Sequence, residues 1–84
     1  MQLTHRQLAD TVRATIAEVL GTEPGAIRDS TDLRAEYGID SLELMAVGTQ
    51  LERALGIQIE TEDLVRAETV GQAIDLLEKR RADA

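Results

Sequence analysis

The sequence predicts an all-α fold: a small four-helix bundle of three main helices and one short third helix, with a long loop between helices 1 and 2. In three stretches, apolar residues recur three and four positions apart, which is the spacing of a helix face buried against a core. The 84 residues include a single aromatic one, so the core must be aliphatic, and this suits helices better than a sheet. Length and the absence of a linker predict one domain over residues 1–84.

The first helix is predicted over about residues 4–20. Thr4 and Gln7 have the spacing of a capping box, and Gly21 is placed to end the helix as its C′ residue. The apolar stripe between them consists of Leu8, Val12, Ile16, Val19 and Leu20.

Residues 21–40 form the long connection, which contains turn residues such as Pro24 and Gly25. We expect a short helical turn near residues 24–27 and expect Ile27 and Leu33 to hold the loop on the core. The segment 29–32 is rich in oxygen-bearing side chains, but it lacks the Gly and the final Glu of an EF-hand. We therefore predict turn residues there and no metal site.

The second helix is predicted over about residues 41–55, and its apolar residues fall on two faces. Leu42 and Met45 share one face, which we expect to be partly exposed and to form a contact surface. The alternative is a wide apolar stripe that the loop of residues 21–40 covers. Gly48 lowers helix propensity, so we expect another helix or loop to approach it closely. The predicted core row is Leu44, Val47, Gly48, Leu51 and Leu55.

The rest of the chain predicts two more helices. Residues 57–59 read as an extended connector, because no second strand exists to pair with them. A short third helix over residues 61–66 has Thr61 as its predicted cap. The fourth helix, over about residues 70–80, begins at a capping box of Thr69 and Gln72.

Charge and composition exclude several classes of function. Nine basic and sixteen acidic residues give a formal charge of −7, which argues against nucleic acid and anionic membranes as partners. Between residues 40 and 68 there are seven acidic and two basic residues, and such a field suits partners with basic docking patches. There is no Cys and no apolar run long enough to span a bilayer. We therefore expect a cytoplasmic monomer without membrane insertion.

Ser41 is the residue best placed for chemistry. Gly38 supplies a tight turn, and Asp40 or Ser41 can cap the second helix. Ser41 is thereby expected at the tip of a loop and at the positive end of a helix, where a phosphate would meet free backbone N–H groups.

Asp40, Ser41 and Leu42 at the start of helix two resemble the attachment motif of the acyl and peptidyl carrier proteins, and the resemblance covers nearly all of the chain. Other matching features are Asp32–Leu33, Pro24 and Ile27 upstream, and Leu51, Leu55, the segment 56–59 and Thr69–Val70 downstream.

The resemblance implies that Ser41 is esterified by 4′-phosphopantetheine, which a separate phosphopantetheinyl transferase installs. It also implies a stand-alone carrier without catalytic activity, whose arm bears acyl or aminoacyl thioesters for loading, condensing and tailoring enzymes of fatty acid, polyketide or related biosynthesis. The Asp-Ser-Leu form is more typical of acyl carriers, and a peptidyl carrier of nonribosomal peptide synthesis is the alternative. The expected partner-docking residues are Leu42, Glu43, Met45, Glu62 and Asp63.

Two rival classes of function remain. A serine-nucleophile enzyme needs a base beside Ser41, and the only histidine, His5, lies near the far N-terminus. An unmodified helical interaction module would bind a partner through Leu42 and Met45 alone.

Overall fold

The computed structural model describes residues 3–83, with the side chains of residues 82 and 83 left out. In this part of the chain there is no strand, so the prediction of an all-helical bundle is confirmed. The helices are α1 (His5–Leu20), α2 (Leu33–Tyr37), α3 (Ser41–Leu55), α4 (Thr61–Arg66) and α5 (Val70–Asp83), and a turn of 3-10 helix covers Pro24–Ala26.

The core is aliphatic and lies between α1, α3 and α5. Leu55 packs against this core but is only partly buried, which corrects the prediction that it is buried like Leu51. The largest side chains with almost no exposed surface are Leu8, Val12 and Ile16 of α1, Ile27 of the loop, Val47 and Leu51 of α3, and Val70 and Leu77 of α5.

The first helix has the predicted ends. The Gln7 N–H donates to Thr4 Oγ1 at 3.1 Å and the Thr4 N–H donates to Gln7 Oε1 at 2.9 Å, which completes the capping box. Gly21 follows the helix with φ +71°, a left-handed conformation that side chains with a Cβ rarely adopt.

The connection between α1 and α3 contains a helix that the sequence analysis missed. Asp32 Oδ1 accepts from the N–H groups of Arg34 and Ala35 at 3.0 Å, so it caps α2. Glu36 Oε2 accepts from the Asp32 N–H at 2.8 Å and closes the first turn from the other side. Two local hydrogen-bonded caps thus hold a helix of five residues that has no apolar stripe. The predicted turn near residues 24–27 is confirmed as the 3-10 helix.

Two helix starts differ from the predictions. Thr61 is not a cap, because the Glu60 carbonyl already accepts from the Asp63 N–H at 3.0 Å and Glu60 occupies the N-cap position without a side-chain bond. At α5, Thr69 Oγ1 accepts from the Gln72 N–H at 3.2 Å as predicted. The Gln72 side chain, however, accepts from the N–H of Glu68 and not from that of Thr69. α5 also runs three residues beyond the predicted end at residue 80.

The loop before α2 is bonded to the start of α5. The Val70 N–H donates to the Thr31 carbonyl at 2.9 Å, and the Gly71 N–H donates to the Asp29 carbonyl at 2.8 Å. Arg13 of α1 contacts Asp29 from the other side, with Nη1 2.6 Å from Oδ1. Ile27 is buried and Leu33 is half-buried against the core, so the prediction that both residues hold the loop is confirmed.

α3 and α4 approach each other at Gly48, which is buried. A Cβ at this position would lie 3.2 Å from Leu64 Cδ1, so the predicted close approach is confirmed and the neighbour is α4. Between the two helices, Ile59 is buried in an extended segment, and its N–H donates to Glu52 Oε2 at 2.9 Å.

Candidate functional site

The candidate site is built on the capping box that begins α3. The Glu43 N–H donates to Asp40 Oδ1 at 2.8 Å, and the Asp40 N–H donates to Glu43 Oε1 at 3.3 Å. Asp40 is therefore the N-cap, and Ser41 is the first residue of the helix. Because Asp40 does the capping, the Ser41 hydroxyl is not needed for it and lies on the exposed surface.

Ser41 follows a short turn between two helices. Gly38 ends α2 with φ +61°, and its N–H donates to the carbonyls of Leu33 and Arg34. Ile39, the next residue, is 8% exposed and ties the turn to the core. This sequence of glycine turn, apolar anchor and capping aspartate fixes the position of Ser41 relative to the bundle.

The start of α3 offers unused hydrogen-bond donors beside Ser41. The N–H groups of Glu43 and Leu44 donate to the Asp40 side chain and carbonyl. Among the residues that the structure describes, the N–H groups of Ser41 and Leu42 have no acceptor. Free N–H groups at the positive end of a helix favour an anion, so a phosphate ester on Ser41 fits this position electrostatically.

An open groove of about 380 Å³ lies beside Ser41, between α2, the start of α3 and α4. Arg34 crosses from α2 to α4, where its Nη2 donates to the Val65 carbonyl at 2.8 Å. The residues that line the groove are Arg34, Ile39, Asp40, Ser41, Leu44 and Val65.

A small interior cavity of about 30 Å³ lies behind the groove, with a mostly aliphatic lining that includes Val47, Leu51 and Leu64. Arg34, Ile39 and Leu44 line both the groove and the cavity. The two spaces are therefore neighbours that share part of their lining.

The apolar pair on α3 is exposed, as the sequence analysis predicted. Leu42 is 76% exposed and Met45 is 51% exposed, so the alternative of a wide stripe covered by the loop is wrong. Tyr37 of α2 and Val65 of α4 are also exposed, at 37% and 42%. Neither of these two residues belongs to a periodic pattern, so the sequence alone does not indicate that they are exposed near Ser41.

The acidic residues that were predicted to dock partners differ in their availability. Glu62 is exposed at the start of α4. Asp63 pairs with Arg80 of α5, with its Oδ2 2.9 Å from Nη2. Glu43 is half-buried and contributes to the capping box. The structure therefore leaves Glu62 the most available of the three carboxylates.

Residues that could support other chemistry lie elsewhere. His5 is paired with Glu78, its Nδ1 3.4 Å from Oε2, and it does not line the groove beside Ser41. In residues 3–83 no group of three or more acidic or histidine side chains could hold a metal ion. No helix in the same range is long and apolar enough to cross a membrane.

Two relatives share most of their length with this chain. The chain is 41% identical over 68 residues to "Acyl carrier protein 2" of Pseudomonas aeruginosa, covering 81% of this chain and 86% of that protein. It is 31% identical over 74 residues to an acyl carrier protein of Saccharopolyspora erythraea, covering 88% and 78% of the two chains.

The fold also matches a solved structure, a free-standing peptidyl carrier protein from Acinetobacter baumannii, with a TM-score of 0.77 over 89% of this chain and 92% of that one. At 21% identity this likeness concerns the fold alone. The family described as "Phosphopantetheine attachment site" matches residues 10–77, a range that contains the capping box, Ser41 and the groove. The chain therefore belongs to the phosphopantetheine-attachment family of carrier proteins, with a covalently attached 4′-phosphopantetheine as its cofactor.

Proposed function

We propose that Ser41 is the attachment residue and that the arm carries acyl groups as thioesters. The observation that carries this proposal is the position of Ser41: exposed, first in α3, and relieved of capping by Asp40. Ser30, the only other serine, lies in the turn two residues before Asp32, the N-cap of α2, so it is not itself at a helix start.

The chain's own residues position the hydroxyl, and a separate transferase activates it. The Ser41 oxygen forms an ester with the phosphate nearest the pantetheine of coenzyme A, the adenosine bisphosphate leaves, and the hydroxyl proton passes to a base of the transferase. The modification of Ser41 therefore needs no histidine of this chain, and the pairing of His5 with Glu78 does not prevent it. The arm supplies the thiol for thioester formation, which a chain without cysteine cannot supply itself.

An acyl cargo is favoured over an aminoacyl cargo. Both relatives described above are named acyl carrier proteins, and the segment before Ser41 reads Gly-Ile-Asp without the paired glycines that are more typical of peptidyl carriers. An aminoacyl or peptidyl cargo is the second candidate, and the peptidyl carrier fold of the structural neighbour is compatible with it.

Carrier proteins of this family interact with biosynthetic enzymes. For this chain we infer that the partners are the phosphopantetheinyl transferase and the loading, condensing and tailoring enzymes, and that the chain itself catalyses no reaction. The exposed Leu42 and Met45 support an apolar docking contact next to Ser41. Glu62 is the main acidic residue available to a basic partner surface, and the less exposed Glu43 and Asp63 contribute less. A cytoplasmic, monomeric state stays a prediction from charge and composition.

Mass spectrometry tests the attachment. The wild-type protein, incubated with coenzyme A and a broad-specificity transferase, is expected to gain one phosphopantetheine. Ser41→Ala is expected to gain none, and Ser30→Ala serves as the matched control that is modified like the wild type. Modification that persists in Ser41→Ala and disappears in Ser30→Ala would refute the assignment. No modification of any variant would favour an unmodified interaction module.

A further inference from the structure

The start of α3 places two negative charges close together. Asp40 precedes Ser41, and Glu43 follows within the same helical turn, with its carboxylate bonded to the Asp40 N–H. A phosphodiester on Ser41 would add a third anion to this short segment. Like charges at such separations repel each other, and the N–H groups of Ser41 and Leu42 at the helix start offset part of this repulsion. A cation in the same groove would stabilise the phosphodiester further.

Among the residues described by the structure, Arg34 is the only cationic one that lines the groove containing Ser41. Its guanidinium has five N–H donors, and one Nη2 donor is used on the Val65 carbonyl at 2.8 Å. In the described part of the chain no other acceptor contacts this guanidinium. Four donors are therefore left for an oxyanion without breaking the contact with α4, and two neighbouring ones can bind two oxygens of the same anion.

We propose that Arg34 is an oxyanion-binding residue that holds the phosphodiester of the chain's own arm in the groove, an inference that rests on the proposed attachment to Ser41. The planar guanidinium suits two phosphate oxygens better than an ammonium does. The hydrogen bond from Arg34 to Val65 holds the guanidinium on the α4 side of the groove. Ile39 and Val65 line the same groove, so they would be the neighbours of a phosphodiester that Arg34 holds.

Nuclear magnetic resonance of the unloaded protein tests the proposal. Mass spectrometry first confirms complete modification at Ser41, so a failure of the proposed function is recognised before the spectra are compared. Conversion of the wild type from the unmodified to the modified form is expected to shift the Arg34 Nε–H signal and the amides of Ile39 and Val65. Arg53 lies about 18 Å from Ser41 along α3, so its Nε–H signal is expected not to shift. This measurement needs no variant, so it does not depend on how a substitution folds.

Two variants and one control complete the test. In Arg34→Gln the ³¹P line of the phosphodiester is expected to narrow toward that of a freely mobile arm, and its shift is expected to lose its dependence on salt. Arg34→Lys keeps the positive charge but lacks the planar set of guanidinium donors. It is therefore expected to retain the salt dependence of the ³¹P shift and part of the ³¹P line width. Arg53→Gln is expected to match the wild type, because Arg53 is exposed and far from the groove.

The proposal is overturned if the Arg34 Nε–H signal does not move on modification of the wild type. It is also overturned if that signal moves only after the thiol is loaded with an acyl group bearing a carboxylate, since the bound oxyanion is then the cargo. A ³¹P line in Arg34→Gln that is identical to the wild-type line would also overturn the proposal. Each of these results leaves the attachment at Ser41 intact.

Discussion

Gly48 of α3 and Leu64 of α4 lie so close that a methyl group at Gly48 would be 3.2 Å from Leu64 Cδ1. The neighbour is the end of a flexible side chain and not backbone. Leu64 also lines the interior cavity of about 30 Å³, so it has space into which it can move. The contact therefore limits the size of residue 48 without excluding every side chain.

Gly48→Ala is expected to leave the free energy of unfolding unchanged or to raise it by up to about 1 kcal/mol, because alanine favours a helix interior over glycine by that amount. Gly48→Val places two methyl groups more than alanine at this buried position, so it is expected to lower the free energy of unfolding by about 1–3 kcal/mol. Denaturant unfolding of both variants measures the difference. A loss above about 1 kcal/mol for alanine would show that Leu64 does not move.

Leu51 and Met45 lie on the same helix, but Leu51 is in the core and Met45 is on the surface. Leu51 is 0% exposed, so Leu51→Ala is expected to cost about 2–5 kcal/mol. Met45→Ala removes a half-exposed side chain and is expected to change stability by less than about 0.5 kcal/mol, while modification or loading by a partner enzyme slows. If Met45→Ala melts much earlier while its folded fraction is modified at the normal rate, Met45 belongs to the core.

Glu43 combines a structural and an electrostatic role, and two substitutions separate them. Glu43→Gln keeps an oxygen that can accept from the Asp40 N–H, so it is expected to keep the capping box and lose only the charge. Glu43→Lys loses both and is expected to destabilise the protein by about 1 kcal/mol.

If basic partner surfaces sense Glu43, both variants associate more slowly than the wild type, and their association rates depend less on salt. Stopped-flow association with the transferase at several salt concentrations measures this effect. A Glu43→Gln variant that associates at the wild-type rate with the wild-type salt dependence would show that partner surfaces do not sense the charge of Glu43.

Gly71 is expected to tolerate alanine much less well than Gly48. A Cβ at Gly71 would lie 3.0 Å from the Asp29 carbonyl oxygen and 3.2 Å from Asp29 Cβ. The backbone of Asp29 is itself bonded to the Gly71 N–H, so it cannot withdraw without breaking that bond. We expect Gly71→Ala to lower the free energy of unfolding by about 1–3 kcal/mol.

Gly25 supplies the matched control for this substitution, because nothing lies within 4 Å of its Cβ position and its φ is not positive. Gly25→Ala is expected to be neutral or to stabilise the protein by up to about 1 kcal/mol. Equal losses for the two variants in thermal or denaturant unfolding would contradict the role assigned to the contact with Asp29.

The features that the sequence predicted well are periodic or local. The stripes of α1 and α3 extend over several turns, so their spacing alone separates Leu51 from Met45. α2 was missed because five residues with one half-buried leucine produce no stripe, although Asp32, Glu36 and Gly38 carry its start and stop signals.

Contacts between distant parts of the chain could not be predicted in the same way. Arg34 and Val65 are 31 residues apart, and no local pattern indicates that one donates to the other. The pairing of Asp63 with Arg80 is similar, and it removes part of the acidic surface that the sequence suggested. For this reason the position of Ser41 at the start of α3 was easier to predict than the groove beside it.

The bonds that join the loop to α5 have a consequence for hydrogen exchange. First-turn amides of a helix ordinarily lack carbonyl partners and exchange quickly with solvent. Here the amides of Val70 and Gly71 donate to the Thr31 and Asp29 carbonyls, so their protons exchange only when the loop leaves the bundle. The exchange rates of these two amides thus report how often the segment leading to α2 and Ser41 detaches from the bundle. The rates can be compared before and after the arm is loaded.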